Sequence, residues 1–193
     1  ISRGAAVTLH QAYSTPSTDY YRYFMSQETV VILSGARTPM GGLQGELAQV
    51  SAPELGSTAI RTALDRGGVA AEAVDEVFMG CVLPAGLGQA PARQAARGAG
   101  LPDATGAVTV NKMCASAMQA TIFGIDSLLA GTNRIVVCGG MESMTNAPHL
   151  IPQARSGVRT GHKTLQDHMF IDGLEDAYTG RAMGSFAQET ADQ

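Results

Sequence analysis

Cys114 is the residue whose surroundings in this sequence best suit covalent chemistry. It lies in AVTVNKMCASAMQA (residues 107–120), where an apolar run typical of a strand leads directly into an apolar run typical of a helix. The first N–H groups of a helix are unpaired and carry partial positive charge, which favours a thiolate and can hold an oxyanion. The pattern is therefore compatible with a nucleophile that attacks a thioester.

Packing is the competing interpretation of Cys114, and from position alone it is the more frequent one, because free cysteine often fills space in cores. Cys81 and Cys138 lie in or at the ends of predicted strands, so we expect both to be core residues. Three cysteines without a C-x-x-C pair predict neither a disulfide framework nor a zinc site. They indicate a reducing compartment, which we take to be the cytoplasm.

The other motifs with possible chemistry have spacings that favour a structural interpretation. Three glycine-containing stretches, GARTPMGGLQG, GLGQAP and GVRTGHKT, lack the spacing of a nucleotide loop and are interpreted as loops. His162, Asp167 and His168 fit no standard metal site. Nothing in the sequence places the carboxylates of Asp126 and Glu142 together. No G-x-S-x-G is present, which argues against a serine hydrolase.

Composition narrows the class of protein further. Hydrophobic residues make up 45% of the 193 residues, enough for a core, and the formal net charge is −4. The 13 basic residues are scattered, so the sequence predicts no nucleic-acid partner. It also contains no apolar stretch long enough to span a membrane and no secretory signal, so we expect no membrane association.

Strand-like and helix-like segments alternate along most of the chain, which predicts an α/β fold with a mainly parallel sheet covered on both faces. Ser51, Glu54 and Pro53 form a helix start signal, and Gly67 and Gly68 form a stop signal. The run after Cys114 is apolar nearly all round, which predicts a central helix that is buried on every side. The predicted strands are 29–33, 74–80, 107–110 and 134–140, and the predicted helices are 51–68, 90–100 and 115–130.

The two ends of the chain differ from this pattern. Residues 1–24 hold four of the five tyrosines and have no clean period, and Met25 resembles a natural start. We interpret residues 1–24 as a leader or an extension that is not part of the fold; a transit peptide is only weakly indicated. From residue 143 the sequence is rich in Met, Gly and polar residues, which predicts a loop-rich segment with short helices.

Six stretches of the chain resemble the thiolase family, in particular acetyl-CoA acetyltransferases and 3-ketoacyl-CoA thiolases. They cover nearly everything from Val30 to Gln193 in family order: SGARTPMGGLQGEL, VFMGCVLPAGLGQAPARQAARGAGLP, VNKMCASAMQA, VVCGGMESMTNAPHL, DGLEDAY and RAMGSFAQETA. The resemblance implies a thiolase N-terminal domain, residues 25–142, with a mainly parallel mixed sheet and a buried central helix. Residues 143–193 would be part of a loop-rich insertion, and the family's C-terminal domain is absent.

The resemblance also implies an activity and site residues. The family's cysteine at the position of Cys114 takes an acyl group from acyl-CoA. Two molecules of acetyl-CoA then give acetoacetyl-CoA and CoA, or, in the reverse direction, CoA cleaves acetoacetyl-CoA by thiolysis. The N–H of Cys114 would form half of an oxyanion hole. Leu174 and Met183 match positions that line the CoA and acyl pocket. His149 matches a position whose side chain serves in packing or forms part of the pocket wall. The resemblance implies coenzyme A thioesters as substrates, no metal or prosthetic group, and a homodimer or homotetramer.

The chain departs from the family in two respects. It has Arg181 and Ala182 before Met183 where many short-chain members have tyrosine and histidine, so a longer-chain 3-ketoacyl-CoA thiolase is an alternative. The family's activating histidine, second cysteine and oxyanion asparagine belong to the missing half. We therefore expect this chain alone to be inactive, with a partly uncovered apolar helix and poor solubility or a need for a partner chain. A ketosynthase-type enzyme of the same fold and a non-catalytic truncated partner are the remaining alternatives.

Overall fold

A computed structural model describes residues 2–12 and 29–193 of the chain. The helices and strands follow one another in this order: β1 (Ser2–Ala12), β2 (Thr29–Arg37), α1 (Ala52–Gly67), β3 (Glu76–Gly80), α2 (Pro91–Gly98), β4 (Gly106–Val110), α3 (Ser116–Leu129), β5 (Ile135–Ser143), β6 (His149–Leu150), β7 (Gln166–Asp167) and α4 (Met183–Ala191). The predicted strands and helices between residues 29 and 140 are therefore confirmed, with small shifts at their ends.

The central feature is a five-stranded mixed sheet in the order β2-β1-β5-β3-β4. Strands β3, β4 and β5 are parallel, and β1 runs antiparallel to both of its neighbours, β2 and β5. Helices α1 and α2 cover one face, and α3 packs against the other. The α/β architecture with a mainly parallel mixed sheet is confirmed.

Helix α1 shows why the start and stop signals in the sequence predicted the ends of this helix correctly. The Oγ of Ser51 accepts the N–H of Glu54 at 3.4 Å, and the Glu54 carboxylate accepts the N–H of Ser51 at 2.8 Å. This reciprocal cap pairs donors that a helix start otherwise leaves free. At the other end Gly68 adopts a left-handed conformation with φ +60°, which only glycine adopts at little cost.

Strand β1 corrects the expectation that residues 1–24 lie outside the fold. Ser2–Ala12 forms a strand in the interior of the sheet, and Ala6, Thr8 and Leu9 are buried. A strand that is covered on both faces and built mostly from small and branched residues shows no alternating polar pattern, so periodicity did not reveal it. Residues 13–24 and Met25 lie outside the described part of the chain.

Helix α3 is enclosed on one side only. Its buried residues, which face the sheet, are Ser116, Ala120, Gly124 and Leu128. Met118 is 68% exposed, and Ile122 and Phe123 are each 43% exposed. The expectation of burial on every side therefore does not hold within this chain, because nothing in the described residues packs against the outer face. The expectation of a partly uncovered apolar face is confirmed.

The segment after β5 has little regular structure. Strands β6 and β7 form a two-stranded antiparallel sheet, and a π-helical turn spans Phe170–Leu174. Helix α4 has no buried residue. Residues 151–166 are all exposed, in agreement with their polar sequence.

Candidate active site

The carboxyl ends of β3, β4 and β5 meet at one edge of the sheet, where ligands commonly bind in α/β folds. A cavity of about 270 Å³ lies at this edge. The residues that line it are Ala5, Arg37, Gly80, Val82, Met113, Cys114, Ser116, Ala117, Gly140, Met141 and Glu142. Cys114 is therefore placed at a cavity, not within the packed core.

Cys114 lies between the end of β4 and the first residue of α3, and its free thiol is exposed. The first i→i−4 hydrogen bond of the helix start joins the N–H of Gln119 to the carbonyl of Ala115 at 2.8 Å. The N–H groups of Ala117 and Met118 consequently have no carbonyl partner within α3. Ala117 also lines the cavity, so the positive end of the helix borders the space that the thiol enters.

Two polar side chains hold the loop that carries Cys114. The Oδ1 of Asn111 accepts the N–H of Met113 at 3.0 Å. The Oγ of Ser116 accepts the N–H of Lys112 at 2.9 Å and donates to the carbonyl of Met113 at 2.5 Å. Met113 has a positive φ of 49°, which is uncommon outside glycine. These bonds stabilise a tight turn that presents the next residue, Cys114, to solvent.

Two glycines let the start of α3 approach the sheet. A Cβ on Gly80 would lie 2.7 Å from the backbone N of Ala117, and a Cβ on Gly140 would lie 2.9 Å from the Cβ of Ala117. Any larger residue would push the helix start away from the strands. Gly80, Gly140 and Ala117 all line the cavity, so this close packing lies directly beside it.

Glu142 is a cavity residue that sequence reasoning did not place. Its carboxylate accepts the N–H groups of Val82 at 2.8 Å and Leu83 at 3.0 Å. Burial raises the pKa of the Glu142 carboxyl, and these two hydrogen bonds oppose that rise. Its position near the end of β5, at the edge where β3 and β4 also end, is the signal that could have located it.

Cys81 and Cys138 are buried, as predicted. Burial raises the pKa of Cys81 to about 12, and the nearby Glu142 charge adds to the rise. Burial, with the Glu76 charge, likewise raises the pKa of Cys138 to about 12. Both side chains are therefore neutral thiols at physiological pH, and the Cys81 thiol donates a hydrogen bond of 3.5 Å to the Glu142 carboxylate.

The three residues that the resemblance assigned to the substrate pocket do not line this cavity. His149 is exposed on β6 opposite Asp167. Leu174 ends the π-helical turn and is half-buried, and Met183 begins α4 and is 48% exposed. The structure does not bring them together with Cys114, and their role in binding the substrate stays a prediction.

No histidine lines the cavity beside Cys114. His168 is buried, with its Nδ1 2.6 Å from a carboxylate oxygen of Asp172 and its Nε2 3.4 Å from the N–H of Ala85. It joins the segment after β3 to the segment after β7. The other three histidines lie on β1, on β6 and in an exposed loop: His10, His149 and His162.

Within residues 2–12 and 29–193, no group of three or more His, Cys, Asp or Glu side chains could hold a metal ion. No helix in the same part of the chain is long and apolar enough to cross a membrane. The longest apolar helix, α3, has 14 residues, against the ~20 that a bilayer requires.

Comparison with known proteins identifies the family. The sequence model of the thiolase N-terminal domain matches residues 30–193. The chain belongs to the thiolase family. A crystal structure of the Acat5 thiolase from Ascaris suum, in complex with coenzyme A, superposes with a TM-score of 0.79 at 38% identity. That match covers 83% of this chain and 41% of the Ascaris chain.

Curated relatives of this thiolase chain carry the name acetyl-CoA acetyltransferase. The cytosolic enzyme of Gibberella zeae is 50% identical over 163 residues, which are 84% of this chain and 41% of that protein. The Schizosaccharomyces pombe enzyme is 49% identical over 169 residues, which are 88% of this chain and 43% of that protein. The mitochondrial enzyme A of Xenopus laevis is 45% identical over 98% of this chain and 45% of that protein. The chain thus spans about two fifths of the length of these relatives.

Proposed function

We propose that Cys114 is the nucleophile of an acyl transfer between coenzyme A thioesters, carried out by the whole protein. The observation that carries the proposal is the exposed Cys114 thiol at a cavity bordered by the first turn of α3. Thiolase family membership, and relatives named acetyl-CoA acetyltransferase, support acetyl-CoA as the substrate.

The first half-reaction forms an acyl-enzyme. The Cys114 thiolate attacks the carbonyl carbon of acetyl-CoA, and its C–S bond forms as the carbonyl oxygen becomes an oxyanion. The intermediate collapses, the bond to CoA breaks, and the CoA thiolate leaves and takes a proton. Unpaired N–H groups stabilise such an oxyanion, and we assign one of them to the backbone of Cys114.

The second half-reaction makes the carbon–carbon bond. A second acetyl-CoA loses a proton from its α-carbon and attacks the carbonyl of the acylated Cys114. Acetoacetyl-CoA is released and the Cys114 thiolate is restored; thiolysis is the same sequence reversed. The thioester itself activates the carbonyl, so no prosthetic group takes part in this scheme.

We expect short acyl groups to suit this cavity better than long ones. Gly80, Gly140 and Ala117 are among the residues that line it, and its volume of about 270 Å³ lies just below the usual range for ligand pockets. A longer acyl chain would have to leave this cavity, which makes the longer-chain thiolase the second candidate. Chain-length preference is measured by comparing kcat/KM of the whole protein for acetoacetyl-CoA and a longer 3-ketoacyl-CoA.

The 193-residue chain alone should form no product. No histidine lines its cavity, and a general base is needed to activate the nucleophile and to remove the α-proton. We propose that the remaining catalytic groups lie in the other part of the whole protein. Detectable thiolysis of acetoacetyl-CoA by the purified chain would contradict this statement.

The proposal also includes the oligomeric state of the whole protein and its place in the cell. The uncovered face of α3, with Ile122 and Phe123, suits burial against other parts of a homodimer or homotetramer. We place the protein in the cytoplasm, because its three cysteines are free thiols. Light scattering of the whole protein tests the assembly, and cell fractionation tests the location.

The decisive experiment is mass spectrometry of the whole protein after incubation with acetyl-CoA. One acetyl group is expected on the peptide that contains Cys114, and none on that peptide in Cys114→Ser. Cys81→Ser is the matched control and should keep the adduct on Cys114. Absence of any adduct in the wild-type protein would favour the non-catalytic partner instead.

A further inference from the structure

The loop between β3 and α2, residues 81–90, forms part of the Cys114 cavity and is held near its start by a side chain from β5. The Glu142 carboxylate accepts the N–H groups of Val82 at 2.8 Å and Leu83 at 3.0 Å. Val82 and Glu142 both line the cavity with Cys114. The position of this wall of the cavity therefore depends on how the loop is attached to the rest of the fold.

His168 provides a second attachment of the same loop. The N–H of Ala85 donates to the Nε2 of His168 at 3.4 Å, and the Nδ1 of His168 lies 2.6 Å from a carboxylate oxygen of Asp172. Pro84, just before Ala85, has no N–H, so every N–H group in this part of the loop donates to a side chain. The His168 ring is buried, with 6% of its side chain exposed.

These contacts determine where the His168 ring carries its proton. A backbone N–H only donates, so the Nε2 that accepts from Ala85 is unprotonated. The single proton of a neutral ring then lies on Nδ1, from which it is donated to the carboxylate of Asp172. His168 in this arrangement is a neutral imidazole with a defined tautomer, and both of its nitrogens are engaged.

We propose that His168 is a positioning residue for the acyl transfer, because it holds the loop of residues 81–90 so that Val82 keeps its place in the wall of the Cys114 cavity. His168 is not among the residues that line the cavity, so it acts through the N–H of Ala85. This inference rests on the proposed function, since the cavity is where the acyl group is to bind.

Packing on either side of His168 supports the attachment. A Cβ on Gly173 would lie 3.3 Å from the Cδ2 of Leu83, so the segment that follows His168 approaches the loop closely. The backbone N–H of His168 donates to the carbonyl of Pro148 at 3.1 Å, which fixes residue 168 to a third segment. The turn that carries His168 is therefore itself well held and can serve as an anchor for the loop.

A matched pair of variants separates the two contacts of His168. The side-chain oxygen in His168→Gln can reach the place of Nε2 and accept the N–H of Ala85. The side chain in His168→Asn is one methylene shorter, so its amide can meet Asp172 but does not reach Ala85. His162→Asn changes an exposed histidine in a different loop and is the control.

Two measurements on the whole protein test the proposal. Hydrogen–deuterium exchange of the peptide of residues 82–90 reports on the loop, and His168→Asn should speed this exchange by about threefold or more. Thiolysis of acetoacetyl-CoA reports on the cavity, and His168→Asn should raise KM by about three- to tenfold while kcat stays within about twofold. The kcat is kept because the loop of Cys114 has its own hydrogen bonds. His168→Gln should lie closer to the wild type in both measurements, and His162→Asn should match it.

Three results would overturn the proposal. The first is unchanged exchange of the 82–90 peptide in His168→Asn. The second is an equal effect of His168→Gln and His168→Asn, which would show that the acceptor at Nε2 is not used. The third is a fall in kcat with unchanged KM, which would indicate general damage to the fold.

Asp172→Ala decides the question if His168→Asn does not fold. Asp172 is half-exposed, and its removal takes away the acceptor that keeps the proton of His168 on Nδ1. Exchange of the 82–90 peptide should again become faster, and unchanged exchange would overturn the proposal. A wild-type protein that forms no acetyl-enzyme contradicts the proposed function, whereas a wild-type adduct with unchanged exchange in these variants contradicts only the role of His168.

Discussion

The Oγ of Ser116 accepts a hydrogen bond of 2.9 Å from the backbone N–H of Lys112, and this bond closes the loop that carries Cys114. The two residues lie on either side of the cysteine. Ser116 is buried and is the first residue of α3, so this hydrogen bond joins the start of the helix to the loop. We expect the exposure of the Cys114 thiol to depend on this bond.

Ser116→Ala should lower the free energy of unfolding by about 0.5–1.5 kcal/mol, because it removes the part-buried hydrogen bond to the N–H of Lys112. Alkylation of Cys114 should change at least threefold as the turn at Met113 relaxes. Urea unfolding and the rate of iodoacetamide reaction measure the two effects. Ser127→Ala, in the same helix, removes only a bond to the carbonyl of Gly124 and should leave the rate unchanged. Equal effects of the two substitutions on the rate would contradict the role of Ser116.

Native-state alkylation should distinguish the three cysteines. Cys114 is exposed, whereas Cys81 and Cys138 are buried with pKa values raised to about 12. Iodoacetamide at neutral pH should modify Cys114 at least a hundredfold faster than the other two, because a neutral buried thiol is inert. Peptide mass spectrometry over time measures the ratio. In urea all three should react at similar rates, and persistence of the ratio there would refute the explanation by burial.

Gly80→Ala should disturb the start of α3. The new Cβ would lie 2.7 Å from the backbone N of Ala117, and crowding of this kind costs about 1–3 kcal/mol. Urea unfolding measures the loss, and acetylation of Cys114 in the whole protein should slow as the helix start moves. Gly42→Ala is the matched control, since no atom lies within 4 Å of its Cβ. Equal stability of the two variants would show that crowding between residue 80 and Ala117 does not destabilise the fold.

A charge on the outer face of α3 should reduce self-association of the chain. Ile122 is 43% exposed on an apolar face, and such faces drive association. Ile122→Glu should raise the concentration at which light scattering detects oligomers by at least fivefold. Val158→Glu places the same charge at an exposed apolar residue outside α3 and should have little effect. An equal gain from both variants would indicate that net charge, not the α3 face, controls association.

Alkaline pH should destabilise the chain through its buried thiols. The folded-state pKa of Cys138 is about 12, above the value of about 8.5 in an unfolded chain. The unfolded state therefore loses this proton first, so the stabilisation is complete below pH ~8.5 and is lost as the pH rises towards 12. At pH 10 the loss is about 1–2 kcal/mol per buried thiol.

Cys138→Ala tests this dependence, because it should flatten the fall in unfolding free energy between pH 8 and pH 10. The substitution also creates a small cavity, so the slope with pH is compared and not the absolute stability. Cys114→Ala is the control for an exposed thiol. An identical slope in wild type and Cys138→Ala, measured by urea unfolding with a reductant, would rule out the linkage.

Local signals predicted the elements between residues 29 and 140 well. The capping pair of Ser51 and Glu54, the stop at Gly68 and the apolar strands act over a few residues, so the sequence contains all the information they need. The same holds for Cys114 at the start of a helix. Strand β1 was missed for the opposite reason. It is held by pairing with β2 and with β5, and β5 lies more than a hundred residues further along the chain.

The sequence by itself determined the order of helices and strands between residues 29 and 140, the family and the position of the thiol before α3, since each follows from neighbouring residues or from motifs in a fixed order. Only the tertiary structure decided that Glu142 shares a cavity with Cys114 and that Ser2–Ala12 completes the sheet. His149, Leu174 and Met183 are not among the residues that line that cavity. These relationships join residues far apart in the chain, and the packing of helices on a sheet, not local preference, brings such residues together or keeps them apart.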